Sequence, residues 1–238
     1  MRKGILLFAA LTVCTTLSAQ IKLQGQRPTI VDFFLNYIDE PEDELTGNLA
    51  NSWELYKNNK PQPEGVTFIV DTRNGYIRQE CYEEYNNTRS YFEMCYWNCA
   101  DGKHRLVAYN MQTLTNGKPC DGQFDGTYFA LYDNAKRTLE PIESEDLGLD
   151  LDYGIDYGSY GYDYGSYGYD SDTKQYFWGS KAGKVTNMTK EEYDRWYKNR
   201  PLNNVVLPRQ GKDIILTTYR GTNKTSITWK WDGKKFHL

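Results

Sequence analysis

The spacing of apolar residues changes period along this chain, and the changes divide it into elements. From Thr29, the residues Val31, Phe34, Leu35 and Ile38 recur at helical spacing, and Thr29 with Asp32 three positions on can close a capping box. A second helix is predicted from about Pro41, where a missing amide hydrogen costs nothing and Glu42, Asp43 and Glu44 suit the positive end of the helix dipole. Leu45, Leu49, Trp53 and Tyr56 form its apolar stripe, and Asn58-Asn59-Lys60-Pro61 ends it. Amphipathic helices beside strands ordinarily cover a sheet face, so residues 20–63 are expected to pack on the β-structure that follows.

From Val66 the pattern becomes strand-like, broken by two-residue turn signals. Val66–Thr72 and Tyr76–Tyr85 flank Asn74-Gly75, while Tyr91–Cys99 and Lys103–Thr115 flank Asp101-Gly102, with Asn116-Gly117 next. Asn-Gly and Asp-Gly supply the positive φ angles of tight hairpins, which predicts an antiparallel meander over residues 64–142 closed by a hairpin at Asp133-Asn134. Residues 143–173 then turn into an acidic tract of tyrosine, glycine and aspartate, with the heptapeptide Asp-Tyr-Gly-Ser-Tyr-Gly-Tyr in tandem from Asp156 and from Asp163. Strand signals resume at Gln175-Tyr176-Phe177-Trp178, Thr189 and Glu192 offer another capping box, and the chain closes with strands near Val205, Ile214–Tyr219 and Ser226–Trp231. Because strands return at 174–238, the expectation is one α+β fold. It is a mostly antiparallel sheet with two N-terminal helices and one further short helix, interrupted by a disordered Tyr/Gly/Asp-rich insertion.

Residues 1–19 carry a secretory signal: basic Arg2 and Lys3, an apolar core from Gly4 to Val13, and Leu17-Ser18-Ala19 before the expected cleavage at Gln20. A lipid anchor on Cys14 is the alternative, though Val13 is a poor residue to precede it. No run approaches the roughly 20 apolar residues that a membrane span needs, so the mature chain is expected to be secreted, periplasmic or at the cell surface. Loss of Arg2 and Lys3 moves the formal charge from −4 to −6, and the tract's nine acidic residues, with no Lys or Arg among them, leave the rest at +3. A body so near neutral, without a basic run, gives no footprint for nucleic acid.

Four cysteines remain in the mature chain, Cys81, Cys95, Cys99 and Cys120, and an exported chain favours disulfides. Cys95 and Cys99 lie about 13 Å apart along one strand, beyond bonding reach. A five-residue loop at 86–90 would set Cys81 opposite Cys95 and leave Cys99 for Cys120; a register slip would favour Cys81 with Cys99. Zinc spacing is lacking, and no cofactor or metal is implied.

Catalytic signatures are lacking as well: there is no nucleophile elbow, zinc-protease helix or phosphate loop. His104 and His237 fall at a hairpin turn and near the C-terminus, where exposed polar residues are expected. The tract's Tyr157, Tyr160, Tyr162, Tyr164, Tyr167 and Tyr169, with Trp178 beyond it, offer flat amphipathic contacts to a protein or glycan partner. Calcium at Asp150, Asp152 and Asp156 is a weaker reading, since the loop lacks the ligand order of a known calcium hand.

Three segments carry a family resemblance: Tyr-Phe-Ala-Leu-Tyr-Asp-Asn-Ala-Lys-Arg-Thr-Leu at 128–139, Leu-Pro-Arg-Gln-Gly-Lys-Asp-Ile at 207–214, and Thr-Trp-Lys-Trp-Asp-Gly-Lys-Lys-Phe at 228–236. They resemble segments of uncharacterised secreted proteins of Bacteroidetes-type bacteria, which implies an exported bacterial protein and carries over no site residues. The expected function is non-catalytic binding, as a protein-interaction or structural module. Alternatives are a carbohydrate-binding module stacking sugars on Trp97, Trp178, Trp229 or Trp231, and a hydrolase built on paired carboxylates.

Overall fold

The computed structural model describes residues 19–20, 27–39, 44–120, 126–151, 165–170, 175–180, 185–199 and 202–238. Residues 1–18 of the signal segment, Cys14 among them, the residues Pro41 to Asp43, and Tyr157, Tyr160, Tyr162 and Tyr164 lie outside the described residues.

Two helices open the body, α1 (Ile30–Ile38) and α2 (Glu44–Lys57). At α1 the capping box is present: Thr29 Oγ1 accepts from the Asp32 amide, and Asp32 Oδ2 accepts from the Thr29 amide at 2.7 Å. Around them runs an eight-stranded antiparallel sheet of β1 (Ala19–Gln20), β2 (Val66–Asp71), β3 (Tyr76–Glu83), β4 (Thr88–Asn98), β5 (His104–Thr115), β6 (Lys118–Cys120), β7 (Gly126–Asp133) and β8 (Thr138–Ile142). Its order is β1-β8-β7-β5-β4-β3-β2, with β6 paired to the end of β5. At the β5–β6 turn Asn116 and Gly117 have φ of 53° and 73°, the two positive angles that a tight hairpin needs and that Asn-Gly supplies at least cost.

Beyond Leu151 the strands β9 (Gly165–Asp170), β10 (Gln175–Ser180) and β11 (Val185–Met188) make a sheet of their own, followed by α3 (Lys190–Asn199). The α3 cap is the expected one: Thr189 Oγ1 accepts from the Glu192 amide at 3.1 Å while Glu192 Oε2 accepts from the Thr189 amide. The chain ends in a four-stranded antiparallel sheet, β12 (Leu202–Val206), β13 (Ile214–Arg220), β14 (Asn223–Trp231) and β15 (Phe236–His237).

Both faces of the large sheet are covered, which is why its strands are apolar on alternate residues and on their complements alike. Phe33, Phe34 and Ile38 of α1 and Leu49 of α2 pack on Ile77, Phe92, Met94, Val107 and Tyr132. On the opposite face Tyr76, Cys95, Trp97, Leu106, Ala108 and Phe129 meet Val205, Leu207, Ile214, Leu216, Trp229, Trp231 and Phe236 of the C-terminal segment. The α+β architecture expected from the pattern is therefore present, as helices, sheet and second sheet in layers.

The ordered body reaches further into the acidic stretch than composition suggests. A boundary at 143 would put Leu147 and Leu149 outside the fold, yet both are buried between the two sheets, Leu149 at 1% exposure. Leu151 packs beside them and its carbonyl accepts from Asn203 Nδ2 at 2.6 Å. Gly148 between the leucines has φ of 76°, and the Phe236 carbonyl oxygen would lie 2.8 Å from any Cβ there. Within the tract expected to be disordered, Gly165–Asp170 is strand β9.

The register overturns the expected cysteine pairing. β3 continues to Glu83 and β4 already begins at Thr88, so Cys81 faces Ser90 while Cys95 faces Tyr76. That five-residue offset is about 17 Å and puts the two thiols on opposite faces. Cys120 faces Thr113, whereas the Cys99 amide bonds the His104 carbonyl about 30 Å further along β5, so Cys99 with Cys120 is excluded too. Cys81 with Cys99 fails by the same spacing, and all four thiols are free.

Candidate binding surface

Three of the tryptophans point inward. Trp97, Trp229 and Trp231 are buried between the sheets, Trp97 meeting Phe236 edge-on at 5.5 Å and donating its Nε1–H to the Lys212 carbonyl at 2.9 Å. They close the core and leave no ring face for a sugar, so three of the four positions expected to serve a carbohydrate module are occupied in packing.

Trp178 lies in β10, and there the register gathers what the sequence listed separately. Tyr167 of β9 is directly opposite Trp178, and Tyr169 is directly opposite Tyr176. Across the other edge of β10, Trp178 pairs with Thr186 and Tyr176 with Met188. Directly opposed residues and residues two apart share a face, so positions 167, 169, 176 and 178 form two aromatic pairs on one face, while Gly168 opposes Phe177 on the other. Tyr167, Tyr169 and Trp178 are thus brought together. Tyr176, absent from the sequence-based set, completes the group, and the alternation in Gln175-Tyr176-Phe177-Trp178 was the signal for it.

A second aromatic row leaves the helix-side core. Tyr128, 46% exposed, stacks on Tyr109 at 4.9 Å and 19°, and Tyr109 in turn meets Tyr37 of α1 at 4.9 Å and Phe92 at 6.3 Å. The Tyr128 ring lies back over Gly126, where a Cβ would come within 2.8 Å of it.

A chain of charged groups on β3 and β4 is committed to structure. Glu93, fully buried on β4, accepts from the Tyr76 hydroxyl at 2.7 Å and Arg78 Nη1 at 2.6 Å through Oε1, and from the Leu207 amide at 3.1 Å through Oε2. Arg78 also reaches Glu80, which takes Arg89, so carboxylates and guanidiniums alternate from the core to the surface. Burial and the Glu93 carboxylate push the Tyr76 phenol up, and although burial opposes the Arg78 charge, Glu93 and Glu80 hold its pKa raised. Burial likewise raises the Cys95 thiol, with Glu93 adding to it.

Three hairpin turns meet at one pole of the body. Asp101, Asp133 and Asp232 each accept two following backbone amides through Oδ1, and the two histidines join them: His104 Nδ1 at 2.6 Å from Asp101 and His237 Nε2 at 2.8 Å from Asp232. Asn134 and Ala100 tie the turns together through the Lys103 and Gly233 carbonyls. Both histidines therefore cap turns. Among the described residues no group of three or more His, Cys, Asp or Glu is placed to hold a metal ion, and no helix is long and apolar enough to cross a membrane. Asp150 is described, while Asp152 and Asp156 lie outside the described residues.

No protein-family model matches this chain, and neither does any curated protein or solved structure.

Proposed function

We propose that the chain is an exported bacterial binding protein that works without catalysis, and that its contact surface is the aromatic face of β9, β10 and β11. The observation that carries this reading is the pairing of Tyr167 with Trp178 and of Tyr169 with Tyr176 across adjacent strands. Aromatic side chains give large contact area for few rotatable bonds, the chemistry of adaptable protein-binding loops. A protein partner is favoured over a glycan because Trp97, Trp229 and Trp231 are enclosed between the sheets.

The test is a photo-activatable benzoyl-phenylalanine at position 167 in the exported protein, with the same group at Ile215, an exposed residue of β13, as control. Cross-links from position 167 to a protein other than this chain, absent from 215 and lost when Tyr176 and Trp178 are both changed to serine, are expected. Equal cross-linking from both positions would overturn the reading. A glycan-array signal lost in the same double variant would replace it with the carbohydrate module.

A further inference from the structure

The small sheet has an edge as well as a face. Among the described residues its order is β11-β10-β9, so β9 ends it, and β9 is six residues long with all six paired to β10 on its inner side. The other two sheets end in β1 and β15, of two residues each, on one side and in β2 and β12, of six and five residues, on the other. Short edges, lysine, proline and bulges are the usual protections against strand addition. Gly165-Ser166-Tyr167-Gly168-Tyr169-Asp170 carries no lysine, arginine or proline, and Gly168 at its middle has no side chain to hold another strand away.

We propose that β9 pairs with β9 of a second copy of this chain, antiparallel about a two-fold axis through Gly168, joining two three-stranded sheets into one of six strands. An isologous contact needs a self-complementary strand, and this register supplies one. It sets Tyr167 against Tyr169 of the other copy and Ser166 against its Asp170, so a hydroxyl faces each carboxylate. Opposed residues share a face, so the aromatic positions of both copies fall on the same side and the four-position face becomes eight. A register one residue away turns the partner's aromatic face to the other side, and centring on Tyr167 or on Tyr169 leaves the remaining tyrosine without an aromatic opposite. The surface used is the edge of the sheet, so this inference shares β9 with the proposed binding face but not the groups that contact a partner.

Sedimentation equilibrium of the mature chain, residues 20–238, tests it. The expected result is a reversible dimer whose dissociation constant rises at least tenfold in Gly168→Lys, which brings two like charges together at the axis. Trp178→Ser should leave the constant within twofold. In Gly168→Cys the two axial positions fall at an antiparallel Cα separation of about 4.5–5.5 Å, within disulfide reach, so a covalent dimer should form under mild oxidation; Gly165→Cys and the wild type should give none. A monomer at all concentrations, a dimer indifferent to Gly168→Lys, or one lost equally in Trp178→Ser would overturn the proposal. Cross-links from position 167 to a second copy of this chain count toward the dimer and only those to a different protein count toward the binding face, so failure of the dimer and failure of the binding face are distinguishable.

Discussion

Glu93→Gln should be among the most damaging single changes to this protein, although it preserves shape. The carboxylate is fully buried and accepts three hydrogen bonds, from the Tyr76 hydroxyl, Arg78 and the Leu207 amide. Glutamine keeps one oxygen. If its amide nitrogen takes the place of Oε2 it meets the Leu207 N–H donor to donor; if it takes the place of Oε1 it meets a guanidinium. One buried donor is stranded either way, at about 1–3 kcal/mol. Arg78 also loses its buried counter-charge, and removing one partner of such a pair costs about 3–5 kcal/mol where nothing compensates. Arg78 is a quarter exposed and keeps Glu80, which moderates that loss. The combined expectation is about 3–4 kcal/mol. Urea unfolding followed by tryptophan fluorescence measures it, since Trp97, Trp229 and Trp231 sit in the core that Glu93 ties together. Arg78→Met in the Glu93→Gln background should then cost clearly less than in the wild type, as expected of two groups in one network. A loss under about 1 kcal/mol for Glu93→Gln, or strict additivity with Arg78→Met, would refute the view that this carboxylate holds the second sheet to the first.

Leu149→Ala should cost about 2–5 kcal/mol by the same assay, as expected for a fully buried leucine; a loss below about 1 kcal/mol would return residues 143–151 to the surface. Asp101 is held down to about 2 by the His104 hydrogen bond and two turn amides, and Asp232 to about 2 by its turn amides and His237. With the unfolded value at about 3.9, each turn's contribution is complete above pH ~4 and fades as the pH falls toward the folded value. Carboxyl carbon shifts followed by NMR should show both midpoints near 2, and midpoints near 4 would contradict the turn geometry.

Much of the body was legible because local chemistry and tertiary packing agree in it. Thr29 with Asp32 and Thr189 with Glu192 cap the helices they appeared to cap, and Asn74-Gly75, Asp101-Gly102 and Asn116-Gly117 turn where they should. What failed were distances set by register. A loop expected at 86–90, starting two residues and ending three residues later than the real turn, shifted the register by five and put Cys95 opposite Cys81, whereas β3 and β4 pair all the way from Tyr76 and Cys95 to Glu83 and Thr88, leaving only residues 84–87 to turn. The tract boundary failed for another reason. Its acidity and glycine content masked the alternation Leu147, Leu149, Leu151, a buried edge written in a polar neighbourhood. The candidate surface was half legible: composition pointed to tyrosines, but only pairing could join Tyr167 to Trp178 and recruit Tyr176.

The charge of the tract bears on both proposals at once. Its nine acidic residues, with no basic residue among them, oppose the close approach of two copies, yet β9 itself contains only Asp170. In the Gly168-centred register the two Asp170 positions stand four residues apart along the strands, about 14 Å, well beyond the roughly 8 Å over which charges act at physiological salt. In the proposed pairing the charges on the edge itself are therefore screened, while a tract of one sign would oppose the addition of many copies. Lysine on an edge strand does the same by different means. Under the two proposals, the acidity of the tract's sequence would stand in for an edge lysine, and the aromatic positions of β9 and β10 would serve a different partner.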